Sequence, residues 1–126
     1  MILINKEIDK EIMFHEEFSN RDTATISIKN PDQNSKRLFI SSVYMHNDVP
    51  IESHQINILI KKANKNKNGL IMCSDTNARH SLWGNEINNK RGEELARIFI
   101  GEHELSIENS DLGYTRSNIR STSTID

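Results

Sequence analysis

Residues 69–84 read Gly69-Leu70-Ile71-Met72-Cys73-Ser74-Asp75-Thr76-Asn77-Ala78-Arg79-His80-Ser81-Leu82-Trp83-Gly84. Leu70 to Cys73 is a short, wholly apolar run, the pattern of a buried central strand. A polar loop follows, from Ser74 to Lys90. Upstream, Ile51, Gln55, Ile56, Ile58, Leu59, Lys62 and Ala63 fit an amphipathic helix, mostly apolar on one face, with Asp48 as its N-cap and Pro50 in its first turn. The Lys/Asn run 61–68 and Gly69 mark its stop. Downstream, Arg91 to Ile100 reads as a second helix with Leu95, Ile98 and Phe99 as its buried stripe. Helix, buried strand, polar loop, helix is the order of an α/β layered fold. In such folds the loop at the carboxyl end of a buried strand is a favoured place for chemistry.

Further out, Thr23 to Lys29 alternates. Ala24, Ile26 and Ile28 fall on one side and Thr25, Ser27 and Lys29 on the other, which predicts a half-buried strand. Residues 30–35, opened by Asn30-Pro31, predict a turn. Arg37 to Met45 then predicts a second strand paired with the first. Ile2 to Ile4 is a short apolar run, residues 5–21 have no clear period, and Leu105 with Ile107 suggests another strand. Residues 110–124 are rich in Ser, Thr, Asn and Arg.

Composition bounds the function. The chain has 126 residues, the length of one domain. Its apolar fraction is 35%, enough only for a lean core. No apolar run approaches the roughly 18 residues of a membrane span. The amino end has no basic region before its apolar residues, so a secretory signal is not expected and an intracellular location is. The single cysteine, Cys73, excludes an internal disulfide framework and a Cys-based zinc site. A net charge of −2 excludes nucleic-acid binding by bulk electrostatics alone. Locally the balance reverses. Residues 61–91 carry Lys61, Lys62, Lys65, Lys67, Arg79, Lys90 and Arg91 against only Asp75 and Glu86. Such a zone fits an anionic partner such as a phosphate backbone, and equally a solvated helix end.

Asp75 and Asn77 stand two apart, directly after the apolar strand. If the strand pitch continues, both project to one side. A carboxylate and a carboxamide aimed at one point can orient a water and a phosphate. The first accepts a proton or binds a hard cation, and the second donates to a phosphoryl oxygen. The competing reading is an Asx turn that caps the strand end.

The whole string resembles the Gly-Asp-x-Asn-Ala-x-His-x-x-Trp-Gly signature of the exonuclease–endonuclease–phosphatase superfamily. In particular it resembles the endonuclease domain that precedes reverse transcriptase in LINE-type, non-LTR retrotransposons. Asp75, Asn77, Ala78, His80, Trp83 and Gly84 match, and Ser74 replaces the usual Gly. Ser42-Val43-Tyr44 resembles the upstream strand whose tyrosine contacts phosphate. Asn89-Lys90-Arg91-Gly92-Glu93-Glu94-Leu95 resembles the Asn-x-Arg-Gly-x-x-Leu opening of the next helix. Ser123-Thr124-Ile125-Asp126 resembles the strand that supplies a late aspartate, and Ile2-Leu3-Ile4-Asn5-Lys6 resembles an early one. The resemblance spans essentially the whole chain.

The resemblance implies an incomplete four-layer α-β-β-α sandwich, the middle portion of one domain filling residues 1–126 and cut at both ends. It implies Asp75 near the attacking water, as base or as the carboxylate on a metal. Asn77 would orient the scissile phosphate, and Tyr44 would hydrogen-bond a phosphate oxygen. Asp126 would orient a downstream histidine, with Thr124 and Arg79 on the substrate. His80 and Trp83 read as loop-packing residues. The implied cofactor is Mg²⁺, with Mn²⁺ as an alternative. The implied partners are the DNA backbone and a fused reverse transcriptase, in a nuclear setting. The family's upstream metal-binding glutamate and its Ser-Asp-His histidine have no counterpart in these 126 residues. An endonuclease fragment, inactive alone, is therefore one expectation. A non-catalytic nucleic-acid- or protein-binding remnant of the same fold is the other. A zinc site from Cys73, Asp75 and His80 has poor ligand spacing.

Overall fold

The computed structural model describes residues 1–8, 10–29, 36–51, 53–65, 67–101, 105–108, 116–117 and 122–123. Its strands are β1 (Glu11–Phe14), β2 (Thr23–Lys29), β3 (Arg37–Tyr44), β4 (Gly69–Asp75), β5 (Arg116–Ser117) and β6 (Thr122–Ser123). Its helices are α1 (Ser53–Lys65) and α2 (Lys90–Gly101), with 3₁₀ turns at Glu16–Phe18 and Ser81–Trp83. The chain divides into two units: Met1–Tyr44 with His54–Ser74, and Met45–Ser53 with Asp75–Asp126.

The first unit is built on a sheet of order β1-β2-β3-β4. The alternation of residues 23–29 forms a strand with the predicted bounds, antiparallel to β3, with Ile26 opposite Ile40 and Ser27 opposite Phe39. The polar face of β2 is not the solvent face, however. Thr25 and Ser27 are fully buried, while Ile28 is only half-buried. Small hydroxyl side chains can be buried where every polar atom finds a partner. Here Thr25 Oγ1 lies 2.9 Å from Ser41 Oγ and also donates to the Phe18 carbonyl. Phe18, Phe39, Leu59 and Ala63 form the adjoining core, with Leu70 packed against it. Thus α1 covers the face that carries Phe39.

Strand β1 was not legible in the irregular segment. It pairs antiparallel with β2, Ile12 opposite Ile28 and Phe14 opposite Ile26. Helix α1 begins at Ser53, not at Asp48, so Pro50 and Ile51 precede it. It ends in a Schellman arrangement: Asn68 N–H donates to the Ala63 carbonyl and Lys67 N–H to that of Asn64, both at 2.9 Å. The left-handed residue of that motif is Lys67, φ 52°. Gly69 is instead the first residue of β4. A Cβ there would come within 2.8 Å of Leu38 Cδ1.

The apolar run 70–73 is not a buried central strand. Strand β4 is last in the sheet order and alternates, with Leu70 and Met72 half-buried and Ile71 48% exposed. Leu70 packs on the core, so alternation turns Ile71 and Cys73 to the other face. Residues 2–4 and 105–107 form no strand. The predicted turn at 30–35 lies outside the described residues.

In the second unit, α2 starts one residue earlier than its pattern suggested. Its most buried positions are Gly92, Leu95 and Ala96, with Ile98 and Phe99 only half-buried. Ile51, Ala78 and Trp83 are also buried there. No helix among the described residues is long and apolar enough to cross a membrane.

Candidate active site

Asp75 ends β4, and the strand pitch stops with it. Asn77 turns into the left-handed region at φ 51°, a conformation that asparagine tolerates better than most residues. Its N–H donates to Asp75 Oδ1 at 3.3 Å, an Asx turn with one long bond. The two residues are therefore joined by a turn, through the Asn77 backbone, rather than by strand periodicity. The carboxamide is fixed as well, since Asn77 Nδ2 donates to the Met45 carbonyl at 2.8 Å. Met45 N–H in turn donates to the Asp75 carbonyl at 2.8 Å. One N–H of the Asn77 amide is thus engaged. Its second N–H and its Oδ1, with Asp75 Oδ2, carry no protein partner among the described residues. Both residues are half-buried. This is an anchored pair whose remaining polar atoms have no protein partner among the described residues.

The loop beyond is held by its own polar groups. His80 caps the 3₁₀ turn, its Nδ1 accepting from Leu82 N–H at 3.1 Å, and stacks at a tilt on Trp83, centroids 5.2 Å apart. Trp83 is buried, donates from Nε1 to the Ala78 carbonyl at 3.2 Å, and meets Phe99 edge-on at 6.0 Å. Both residues pack the loop, as their sequence context suggested. Gly84 closes the turn at φ 84°.

The Asn89-Lys90-Arg91-Gly92 segment anchors the loop to α2. Asn89 Oδ1 accepts from Gly92 N–H at 2.7 Å, capping the helix, and from Arg79 N–H at 3.1 Å. Asn89 N–H returns a bond to the Arg79 carbonyl at 2.9 Å. That carbonyl lies so close that a Cβ on Gly92 would sit 1.9 Å from its oxygen. Only glycine allows this approach. Arg79 itself is exposed, its backbone fixed and its guanidinium turned to solvent.

Tyr44 is the last residue of β3, in the first unit. It is 43% exposed, and its N–H donates to the Asp22 carbonyl at 2.8 Å. Thr124 and Asp126 lie outside the described residues. The contributions of Met45, Val49 and Thr76, and the part Arg91 plays with them, were not read from the sequence. The first three act through backbone carbonyls, which no residue type announces. Only the Asn-x-Arg-Gly spacing flagged Arg91.

A hard cation draws on oxygen ligands, and Mg²⁺ needs only one or two carboxylates beside water and phosphate. Asp75 offers one such carboxylate. No group of three His, Cys, Asp or Glu side chains among the described residues could hold a metal alone. Among the described residues the donor set is a single carboxylate, which fits a hydrated hard cation.

Residues 38–126 match the family described as endonuclease-reverse transcriptase. The chain belongs to that family. A search of curated proteins finds no match. Among solved structures, the fold is similar to that of the "Endonuclease domain of TRAS1, a telomere-specific non-LTR retrotransposon", at a TM-score of 0.75 and 23% identity. The match covers 95% of this chain and 55% of that domain, so the chain spans about half the length of the solved relative. The likeness fixes the fold as α/β of the retrotransposon endonuclease type, as the sequence reading expected.

Proposed function

We propose that the chain is part of a metal-dependent DNA endonuclease of retrotransposon type, which hydrolyses phosphodiester bonds at the Asp75–Asn77 turn. The observation that carries this reading is the Asn77 carboxamide, locked by the Met45 carbonyl beside the Asp75 carboxylate with its remaining polar atoms free. In hydrolysis a water oxygen bonds to phosphorus, the bridging P–O bond breaks, and the leaving oxygen takes a proton. Asp75 is suited to accept the water's proton or to hold the ion's inner face. Asn77 is suited to donate its second N–H to a phosphoryl oxygen. Arg79 and Tyr44 are suited to phosphate contacts, and Thr124 and Asp126 take the roles the resemblance assigns them. Bound Mg²⁺, or Mn²⁺ in its place, would supply charge to the phosphate through the single Asp75 carboxylate. DNA is the partner, a reverse transcriptase the fused neighbour, and the nucleus the setting.

Residues 1–126 by themselves hold neither the family's metal-binding glutamate nor its histidine, so alone they are proposed to be inactive. Loss of one stabilising group typically costs about 10²–10³-fold in rate. Supercoiled-plasmid nicking with Mg²⁺ tests both halves. The 126-residue chain is expected to give background rates. The same residues joined to their flanking coding sequence are expected to nick, and to lose that activity with Asp75→Ala. Nicking that survives Asp75→Ala would overturn the proposal, and a flanked protein that does not nick at all would leave the alternative, a non-catalytic nucleic-acid- or protein-binding remnant of the same fold.

A further inference from the structure

Arg91 stands in the Asn-x-Arg-Gly stretch, and nothing in the proposed chemistry employs it. Its side chain is half-buried and directed at backbone rather than at an acid. Nε donates to the Thr76 carbonyl at 2.7 Å, and Nη1 donates to the Val49 carbonyl at 2.5 Å. It makes no ion pair among the described residues. Thr76 is the residue between Asp75 and Asn77, and its carbonyl belongs to the peptide unit whose N–H reaches Asp75 Oδ1. Val49 lies four residues beyond Met45, whose carbonyl holds the Asn77 amide. The two segments 45–49 and 75–77 are thus joined twice directly, through Met45, and once more through one guanidinium that bonds to both.

We propose that Arg91 is a positioning residue of the site: by donating to the Thr76 and Val49 carbonyls at once, it holds segment 45–49 against the 75–77 turn and so fixes the direction of the Asn77 carboxamide. This rests on the reading of Asp75 and Asn77 as the reacting pair. A planar guanidinium suits the task because its N–H groups diverge in a fixed fork. A lysine ammonium is a point charge on a flexible stem and does not reproduce that geometry. The α2 cap at Asn89 and the Gly92 approach to Arg79 fix where the fork starts. Because both acceptors are neutral carbonyls, these two bonds leave the arginine's positive charge in place one residue from Asn77, where it favours an anionic phosphodiester.

Two measurements decide it. Amide hydrogen exchange of the 126-residue chain follows Met45 and Asn77, with Ile26 in β2 as the reference. Arg91→Lys is expected to speed exchange at Met45 and Asn77 about tenfold, the worth of one charge-assisted hydrogen bond, and to leave Ile26 unchanged. Added guanidinium, but not ammonium, is expected to restore protection in Arg91→Ala. Nicking by the protein with its flanking sequence is expected to show kcat reduced about tenfold or more by Arg91→Lys, at unchanged melting temperature. Unchanged exchange at Met45 and Asn77, equal acceleration at Ile26, or unaltered kcat would each overturn the assignment. If Asp75→Ala nicks normally while exchange responds to Arg91, the fault lies with the reacting pair and not with the staple.

Discussion

Two polar clusters of this chain, one in each unit, differ in how their side chains are held. In the first unit, Glu17, His15 and Ser27 stand in the order of a hydrolytic relay. His15 Nδ1 is 3.1 Å from Glu17 Oε1, and its Nε2 is 2.8 Å from Ser27 Oγ. The Glu17 carboxylate can only accept, so Nδ1 donates to it, and a neutral ring then accepts from the Ser27 hydroxyl at Nε2. Ser27 Oγ in turn accepts from Arg37 Nε at 2.7 Å, and Arg37 Nη1 donates to Glu11 at 2.9 Å. Ser27 is fully buried in mid-strand and no substrate can reach it. In the second unit, Asp75 and Asn77 are half-buried and tied mainly through backbone groups. A cluster whose side chains satisfy one another in the interior is structural. A cluster whose side chains are anchored at one atom and open at the rest is the one we propose as the site.

The difference can be broken from either side. The largest expected effect is Gly92→Ala. Its Cβ meets the Arg79 carbonyl at 1.9 Å, so the loop or the helix must move, at about 3–5 kcal/mol. Chemical denaturation measures the loss, and a variant within 1 kcal/mol of the parent (~1 kcal/mol) would show that the loop is not seated as described. Next is His15→Ala. It removes a buried ring that lies 5.0 Å from Phe39 and strips partners from Ser27 and Glu17. The expected cost is about 2–4 kcal/mol. A His15→Ala protein of unaltered stability would remove the distinction between the clusters.

A smaller effect concerns acid. The Arg37 hydrogen bond, with the Arg37 and Lys29 charges, holds the Glu11 carboxyl below its ordinary range. Its own backbone N–H, then His15, does the same for Glu17. Folded values depressed in this way contribute stability above the unfolded carboxylate range. That contribution is lost as pH falls through the range toward the folded values. Both groups are exposed to solvent, so the contribution is modest and screened by salt. Melting temperature followed downward from neutral pH is expected to fall less steeply in the Glu11→Gln, Glu17→Gln double variant. Identical slopes would show that neither carboxylate is held by its partners.

What the sequence revealed follows the same division. Strands β2 and β3 were legible because alternation is a strong local signal, yet their buried polar face was not. Whether Thr25 and Ser27 face inward depends on Ser41, Phe18 and His15, which are distant in sequence. Strand β1 is four residues in a charged stretch and carries no periodic signal. The N-cap signs at Asp48 and Pro50 were overridden because Val49 is held by Arg91, and α1 starts only after Ile51. The apolar run 70–73 misled because apolarity alone does not separate a central strand from a last one. Asp75 and Asn77 were legible as residue types in the right place. The Asx turn that joins them was the competing reading of the same residues and is formed, whereas the Met45 carbonyl that holds the Asn77 amide leaves no trace in side-chain identity.

The central claim is that the Asp75–Asn77 turn reacts with a phosphodiester and is not merely a strand cap. Asn77→Gly tests it most directly, because glycine adopts φ 51° freely and relieves the left-handed cost while deleting the carboxamide. The account predicts a melting temperature little below that of the parent, because relief of the left-handed cost offsets most of the lost Met45 hydrogen bond, worth about 1 kcal/mol, with plasmid nicking by the flanked protein reduced about 10²-fold or more. Nicking within threefold of the parent (~3-fold) at unchanged stability would show that Asn77 serves the turn alone, and would contradict the account.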